Sequence, residues 1–222
     1  MGISIRLNLD GGPALGAWRA DPVGQARGGV LIGQEIFGVN SHIRSVCERF
    51  AQAGYVAIAP ALFDWVEPNV ELDYSADSIA RGRALMQKIS LDQALAAIAA
   101  AKSVLESAGK VGMVGYCWGG TLAWAAACRL QGLACAAPFY GGGIAALANE
   151  QPRCPVELHY GETDHAIPLS DVDKLRAAHP QQPVYLYPAG HGFNCEQRAS
   201  YHADSARLSH DRVLALLTRH LA

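Results

Sequence analysis

The sequence predicts an α/β protein with a mostly parallel sheet of about seven to eight strands, helices on both faces and an N-terminal antiparallel hairpin. Short apolar runs alternate with longer segments of helical period. One such run, at 111–114, leads through a glycine-rich turn into an alanine-rich helical segment. Because half of its 222 residues are apolar, the chain can bury a full core, and we expect one domain over 1–222.

The individual elements follow from local patterns. Residues 3–9 alternate apolar and polar side chains and can pair with 15–19 in a hairpin across 10–13. Residues 60–75 carry prolines and large aromatics, so we expect an irregular loop that walls a pocket or an interface. Continuous apolar runs predict buried strands at 29–33, 55–59 and 111–114, and further strands are expected at 133–139, 155–160 and 183–187. Helical spacing predicts helices near 41–53, 76–88, 92–108, 170–179 and 201–221.

Composition excludes several classes of partner. The formal charge is −2, so neither nucleic acid nor an anionic membrane surface is an expected partner. The N-terminus lacks the pattern of a signal peptide, and no apolar run approaches the about 20 residues that span a bilayer. We expect a soluble, cytoplasmic protein, a monomer or small homo-oligomer, that acts on a small molecule.

The cysteines are widely spaced and form no CxxC pair, so they are interpreted as reduced thiols rather than a disulfide framework. His191 and Cys195 lie close in sequence, but no second pair of ligands completes a tetrahedral site. We therefore expect neither a metal ion nor a cofactor. The six cysteines are Cys47, Cys117, Cys128, Cys135, Cys154 and Cys195.

The segment Gly-Tyr-Cys-Trp-Gly-Gly at 115–120 is typical of a sharp strand-to-helix turn with a nucleophile at its apex. Such a turn would expose the side chain of Cys117 at a helix N-terminus, where the helix dipole favours a thiolate. Glycine and cysteine are also common in tightly packed strand–helix turns, so the pattern alone is weak. Its interpretation depends on partners elsewhere in the chain.

An activated nucleophile needs a base and a group that orients the base. After this kind of turn, the expected chain order is nucleophile, acid, histidine. Asp164 and His191 each follow a predicted strand and would lie at the same sheet edge as Cys117. Asp164 could instead cap a turn, and His165 is the alternative histidine. The combination of three residue types in the required order favours a Cys117–His191–Asp164 triad.

Attack by a thiolate also needs hydrogen-bond donors for the oxyanion. The backbone N–H of Trp118 is one candidate, and the N–H of Ile36, in the loop after the strand at 29–33, is the other. Glu35 in that loop is unusual because its neighbourhood is apolar. Its alternative role is to cap the helix that starts near residues 40–41.

Four segments together resemble the dienelactone hydrolase family (carboxymethylenebutenolidases) of the α/β-hydrolase superfamily. They are Gln-Glu-Ile-Phe-Gly-Val-Asn at 34–40, the 115–120 turn, Gly-Glu-Thr-Asp-His at 161–165 and Gly-His-Gly-Phe at 190–193. The resemblance implies an α/β-hydrolase fold, a triad of Cys117, His191 and Asp164, and the two oxyanion donors above. It also implies that Glu35 interacts with the resting thiol and helps to deprotonate it once substrate shifts this glutamate.

The chain differs from the family in the residues that would hold the carboxylate of the substrate. Members that act on dienelactone hold it with arginines, one of them four residues after the catalytic histidine, where this chain has Cys195. Arg81 lies near another such position, although a solvated helix face is the alternative for Arg81 and Arg83. Arg198 could also reach toward the pocket. The candidate substrate-binding residues are Arg81, Phe37 and Trp65.

The predicted reaction is hydrolysis of a small lactone or activated ester through an acyl-cysteine intermediate. The sequence leaves two alternative functions open. Cys117 could be a redox-sensing thiol, which would need a resolving thiol that Cys195 might supply in space. The chain could also be a ligand-binding protein that has kept the fold without turnover.

Overall fold

The computed structural model describes residues 2–9 and 11–221. Within them, eight strands form one sheet with the spatial order first, second, fourth, third, fifth, sixth, seventh, eighth. The second strand pairs antiparallel with both the first and the fourth, and the third to eighth strands run parallel to one another. The strands are β1 (Ile3–Leu7), β2 (Leu15–Ala20), β3 (Gly29–Gly33), β4 (Val56–Pro60), β5 (Val111–Tyr116), β6 (Leu133–Phe139), β7 (Leu158–Gly161) and β8 (Val184–Tyr187).

Helices cover both faces of this sheet. The third and fourth helices contact each other and the central strands on one face. On the other face Phe50 of the first helix contacts His210 of the sixth, with ring centroids 5.4 Å apart. The helices are α1 (Ser41–Gln52), α2 (Ala76–Met86), α3 (Leu91–Leu105), α4 (Trp118–Arg129), α5 (Leu169–Ala178) and α6 (Ala203–Leu221).

The predicted fold class is confirmed: the sheet, its N-terminal hairpin and the helices on both faces match an α/β-hydrolase fold. The turn of the hairpin includes Asp10, which lies outside the described residues. Strands β3, β4 and β5 are buried along their whole length, which explains their continuous apolar sequence. No helix in the described part of the chain combines the length and hydrophobicity needed to cross a bilayer.

Two element predictions need correction. The seventh strand was predicted at 155–160 but begins at Leu158, because Pro155 has no N–H and Val156 makes only an isolated bridge to Ala136. The residue that caps α1 is Asn40, whose side chain accepts from the N–H of Ile43 at 3.2 Å. Glu35 therefore does not cap this helix.

Parallel strands place their carboxyl ends at one edge of the sheet. The loops after β3, β5, β7 and β8 contain residues 34–38, Cys117, Asp164 and His191, respectively. The fold therefore brings the four predicted functional segments to the same edge.

Candidate active site

Cys117 occupies the apex of the turn between β5 and α4. Its φ of 55° and ψ of −113° lie in a region that non-glycine residues rarely adopt. The Cys117 N–H donates to the carbonyl of Phe139 at 3.0 Å, which fixes the turn against β6. A Cβ added to Gly115 would lie 1.9 Å from the carbonyl oxygen of Gly119. The close approach of the backbone at Gly115 to that at Gly119 explains why residue 115, two positions before Cys117, is glycine.

Three predicted side chains meet at this turn. The Sγ of Cys117 lies 3.2 Å from Nε2 of His191, and Nδ1 of His191 lies 2.8 Å from Oδ2 of Asp164. The other Asp164 oxygen accepts from the N–H of Ala166 at 2.8 Å. The Asp164 side chain is fully buried, whereas the alternative histidine, His165, is exposed. The sequence-predicted thiol, imidazole and carboxylate thus form one hydrogen-bonded series.

The surroundings of His191 favour its protonated form. Burial by itself lowers the pKa, but hydrogen bonds to Asp164 and Cys117 outweigh this effect and raise the pKa of His191 to about 10. At neutral pH the imidazole therefore keeps its proton next to the Cys117 sulfur. A cation in that position stabilises a thiolate.

Replacing Asp164 by asparagine should lower the pKa of His191 from about 10 to or below its usual value of about 6.5, because burial then opposes a weaker set of stabilising contacts. Nitrogen-15 NMR titration of the histidine side chains measures this pKa. The matched control is Asp171→Asn, which removes a half-buried carboxylate on α5 that pairs with Lys174. A pKa that stays near its wild-type value in Asp164→Asn would contradict this electrostatic interpretation.

The loop after β3 is fixed against the Cys117 turn. The carbonyl of Gln34 accepts from the N–H of Gly119 at 2.9 Å, and its side-chain oxygen accepts from the N–H of Leu62 at 3.1 Å. A Cβ on Gly82 would lie 1.9 Å from the carbonyl oxygen of Ile36, so α2 packs directly on this loop. Ile36 and Trp118, the two predicted oxyanion donors, both line the same cavity as Cys117.

That cavity has a volume of about 590 Å³. His191 and Phe37 contribute to its lining, and Arg83 and Arg198 are the arginines among its described lining residues. The cavity has no Asp or Glu among its described lining residues. Most of its wall is apolar and includes Ile79, Met86, Leu91, Leu122, Leu147 and Ile167.

Two predicted substrate-binding residues do not reach the cavity. Arg81 is exposed and donates to Glu67 at 2.5 Å. Successive helical residues are about 100° apart, so Arg81 and Arg83 on α2 point in nearly opposite directions. The Nε1 of Trp65 donates to the carbonyl of Gln93 at 3.0 Å, which directs its ring toward α3.

A sequence profile described as the dienelactone hydrolase family matches residues 15–221. The chain belongs to the dienelactone hydrolase family. It is therefore a hydrolase of the dienelactone hydrolase type, as the resemblance in the motifs implied.

Individual relatives agree with this family. A protein from Synechocystis sp., provisionally named a carboxymethylenebutenolidase, is 34% identical over 212 residues, which cover 86% of each chain. Carboxymethylenebutenolidase 1 of Cupriavidus pinatubonensis is 29% identical over 224 residues, which cover 96% of this chain and 95% of the relative. Among solved structures, a protein from Klebsiella pneumoniae, provisionally named a dienelactone hydrolase, has a TM-score of 0.86 and 29% identity, with 99% of each chain covered.

Glu35 of this dienelactone hydrolase family member is paired with an arginine. The side chain is buried, with 1% exposed, and Oε1 accepts from Nη1 of Arg198 at 3.0 Å. Its Oε2 has no hydrogen-bond partner. In this structure the partner of Glu35 is thus Arg198 rather than the Cys117 thiol. Arg198 supplies a guanidinium beside the cavity although the expected arginine position is occupied by Cys195.

Sequence reasoning missed Tyr140, which follows β6. Its φ is 37°, and its ring centroid lies 5.1 Å from that of His191. Its hydroxyl is buried without a hydrogen-bond partner, and burial raises its pKa well above the usual value. A tyrosine at a strand end carries no local signal for such a position, so the sequence could not have indicated it.

Proposed function

We propose that this hydrolase cleaves lactones or activated esters by nucleophilic catalysis, with Cys117 as nucleophile, His191 as acid and base, and Asp164 as the group that orients His191. The observation that supports this proposal is the continuous series from sulfur to imidazole to carboxylate, with separations of 3.2 and 2.8 Å. This series borders the large apolar cavity.

In the first half-reaction, the Cys117 thiolate attacks the carbonyl carbon and forms a C–S bond. The C=O electron pair moves to oxygen, where the N–H groups of Ile36 and Trp118 would stabilise the charge. When the carbonyl re-forms, the C–O bond to the leaving group breaks. The His191 imidazolium donates its proton to the departing oxygen.

In the second half-reaction, neutral His191 removes a proton from water as the water oxygen attacks the thioester carbonyl. The C–S bond then breaks, and the acid product and the thiolate are released. Asp164 holds the imidazole in position and stabilises its charged form. A thiolate is a good leaving group, so expulsion of a poorer one such as an amine is unfavourable, and enol esters and lactones are preferred to amides.

Glu35 is proposed to accept the proton of the Cys117 thiol when that thiol is neutral. Its pairing with Arg198 (3.0 Å) holds it in the resting position. An anionic group of a substrate would compete with Glu35 for the Arg198 guanidinium, because carboxylates bind guanidinium groups strongly. Release of Glu35 would then couple substrate binding to thiol activation.

The cavity lining suggests the substrate class. Apolar side chains from α2, α3 and α4 form most of the wall, so an apolar body would be buried there. The cationic groups of Arg83 and Arg198 suit an anionic substituent, and no Asp or Glu of the described lining would repel it. We propose a lactone or activated ester that combines both features.

The test is a panel of p-nitrophenyl esters, enol lactones and a matching anilide, assayed with wild type, His191→Gln and the control His165→Gln. Wild type should hydrolyse esters and lactones but not the anilide. His191→Gln should lower kcat by about 10³-fold, the usual contribution of a general acid–base residue. His165→Gln should match wild type, since this exposed residue lies outside the hydrogen-bonded series. Failure of wild type to hydrolyse any ester or lactone would refute the function, and an inactive His165→Gln with an active His191→Gln would refute the assignment.

Arg83→Gln should raise KM for an anionic ester about fivefold and leave KM for its neutral analogue unchanged, since an exposed charge contact contributes roughly 1 kcal/mol. Arg81→Gln is the matched control, because Arg81 lies on the same helix but is paired with Glu67 outside the cavity. Steady-state kinetics on both substrates measure the effect. Equal effects of the two variants, or an equal effect on both substrates, would contradict an anion subsite at Arg83.

A further inference from the structure

Three buried side chains from distant parts of the chain converge beside Arg198. They are Glu35 after β3, His42 in α1 and Cys195 after β8, and one ligand atom from each lies within 4.8 Å of the others. All three side chains have at most 1% of their surface exposed. The sequence predicts no metal site, because the only potential ligand close to Cys195 along the chain is His191. The fold brings Cys195 together with two different residues.

Two of these ligand atoms have no hydrogen-bond partner. They are Oε2 of Glu35 and Nε2 of His42. Buried polar atoms without partners are rare and cost free energy, because they have lost their hydrogen bonds to water. Both atoms belong to the same cluster, so a single bound group could satisfy both of them.

The surrounding contacts orient the ligand atoms. Nδ1 of His42 lies 3.0 Å from a carboxylate oxygen of Glu196, which leaves Nε2 facing the cluster. Burial lowers the pKa of His42, but contacts with Cys195 and Glu196 outweigh it and raise the pKa to about 9, so a metal ion would bind Nε2 in place of a proton. The Sγ of Cys195 lies 3.2 Å from the Tyr74 hydroxyl, whose oxygen accepts from Nδ2 of Asn40 at 3.1 Å. That arrangement allows the Tyr74 hydroxyl to donate to a Cys195 thiolate. Outer carboxylates and donors of this kind are usual around protein metal sites.

We propose that Glu35, His42 and Cys195 form a Zn²⁺ site. A carboxylate oxygen, an imidazole nitrogen and a thiolate sulfur are all zinc ligands, and a water molecule would complete four-coordination. The carboxylate and thiolate together balance the charge of the ion. Ligand atoms around tetrahedral zinc lie roughly 3.5 Å apart, so separations of up to 4.8 Å must contract by about 1 Å. Arg198 contacts Oε1 of Glu35, which leaves Oε2 for the metal.

Metal binding would also regulate the enzyme, a consequence that rests on the proposed function. Zinc bound to Glu35 would prevent it from accepting the Cys117 proton. The site would therefore inhibit acylation without contacting Cys117. Zinc should lower kcat in wild type and should lose this effect when Cys195 is replaced.

The binding test uses Co²⁺ as a spectroscopic substitute for Zn²⁺ in Cys117→Ser protein. This background removes the other thiol–imidazole pair and needs no turnover, so its result is independent of the proposed function. One equivalent of Co²⁺ should produce a thiolate-to-cobalt charge-transfer band in the near ultraviolet and be displaced by Zn²⁺. The band should disappear when Cys195→Ser is added and persist with the control Cys154→Ser, a buried cysteine outside the cluster.

If circular dichroism shows that the Cys195→Ser protein does not fold, two milder substitutions test the same site. His42→Gln and Glu196→Gln should each weaken Co²⁺ affinity by on the order of tenfold or more, because one removes a ligand and the other removes the carboxylate that orients it. Absence of the charge-transfer band at one equivalent would overturn the proposal. Unchanged Co²⁺ affinity in both His42→Gln and Glu196→Gln would also overturn the proposal. The thiolate band would then come from a cysteine outside this cluster.

Discussion

Cys117→Ala should lower kcat on an activated ester by about 10⁴-fold or more, because the proposed mechanism loses its nucleophile, and His191 and Asp164 have no other group to activate. KM should change little, since the apolar cavity that holds the substrate remains. Stopped-flow and steady-state assays on one ester measure both constants. The folded state is checked by near-ultraviolet circular dichroism.

The matched control for this substitution is Cys154→Ala, which removes a buried thiol that lies outside the cavity lining. It should leave kcat unchanged. Undiminished turnover in Cys117→Ala would contradict the mechanism. The redox alternative predicts no ester turnover in wild type, and its resolving-thiol candidate, Cys195, is fully buried with its thiol directed to Tyr74.

Gly115→Ala should destabilise the protein by about 3 kcal/mol or more and abolish turnover, because overpacking against backbone cannot be relieved by a rotamer change. The new Cβ would lie 1.9 Å from the carbonyl oxygen and 2.4 Å from the carbonyl carbon of Gly119. The turn that carries Cys117 would have to open. Urea unfolding followed by circular dichroism measures the free energy of unfolding.

Gly142→Ala provides the control for the same chemical change in the cavity wall. A Cβ at Gly142 would meet its nearest atom, Cγ1 of Ile167, at 3.7 Å, which is an ordinary van der Waals contact. Its effect on the free energy of unfolding should stay within about 0.5 kcal/mol. Equal stability of the two variants would contradict the close approach at Gly115.

The sequence predicted the fold well because its signals are local. Parallel strands that are covered on both faces need continuous apolar runs, and the segments 29–33, 55–59 and 111–114 show this pattern. The glycines of the 115–120 segment by themselves indicate the sharp turn. Cys117, Asp164 and His191 could be placed together because each follows a parallel strand, and those strands end at one edge.

Helix phase separates the two arginines of α2. Arg81 and Arg83 lie two residues apart on α2, so only one of them can face the cavity. The order of apolar and polar residues along α2 did not show whether Arg81 or Arg83 faces the cavity. In the structure Arg83 lines the cavity, whereas Arg81 pairs with Glu67.

Local sequence patterns could not predict contacts between residues that are far apart along the chain. Glu35 and Arg198 lie near opposite ends of the chain, yet they are 3.0 Å apart in a largely buried position. Their contact depends on the loop after β8 folding back over the loop after β3. The same folding brings Cys195 to His42 and Glu35, so neither the ion pair nor the ligand cluster has a sequence motif.

The central claim is that an acyl group is carried on the sulfur of Cys117. Rapid acid quench of the enzyme during turnover of a p-nitrophenyl ester, followed by intact-mass measurement and peptide mapping, tests it most directly. We expect one acyl adduct per chain, located on Cys117 and removed by neutral hydroxylamine as a thioester is. Steady turnover with no adduct on Cys117, or with the adduct on another residue, would contradict it.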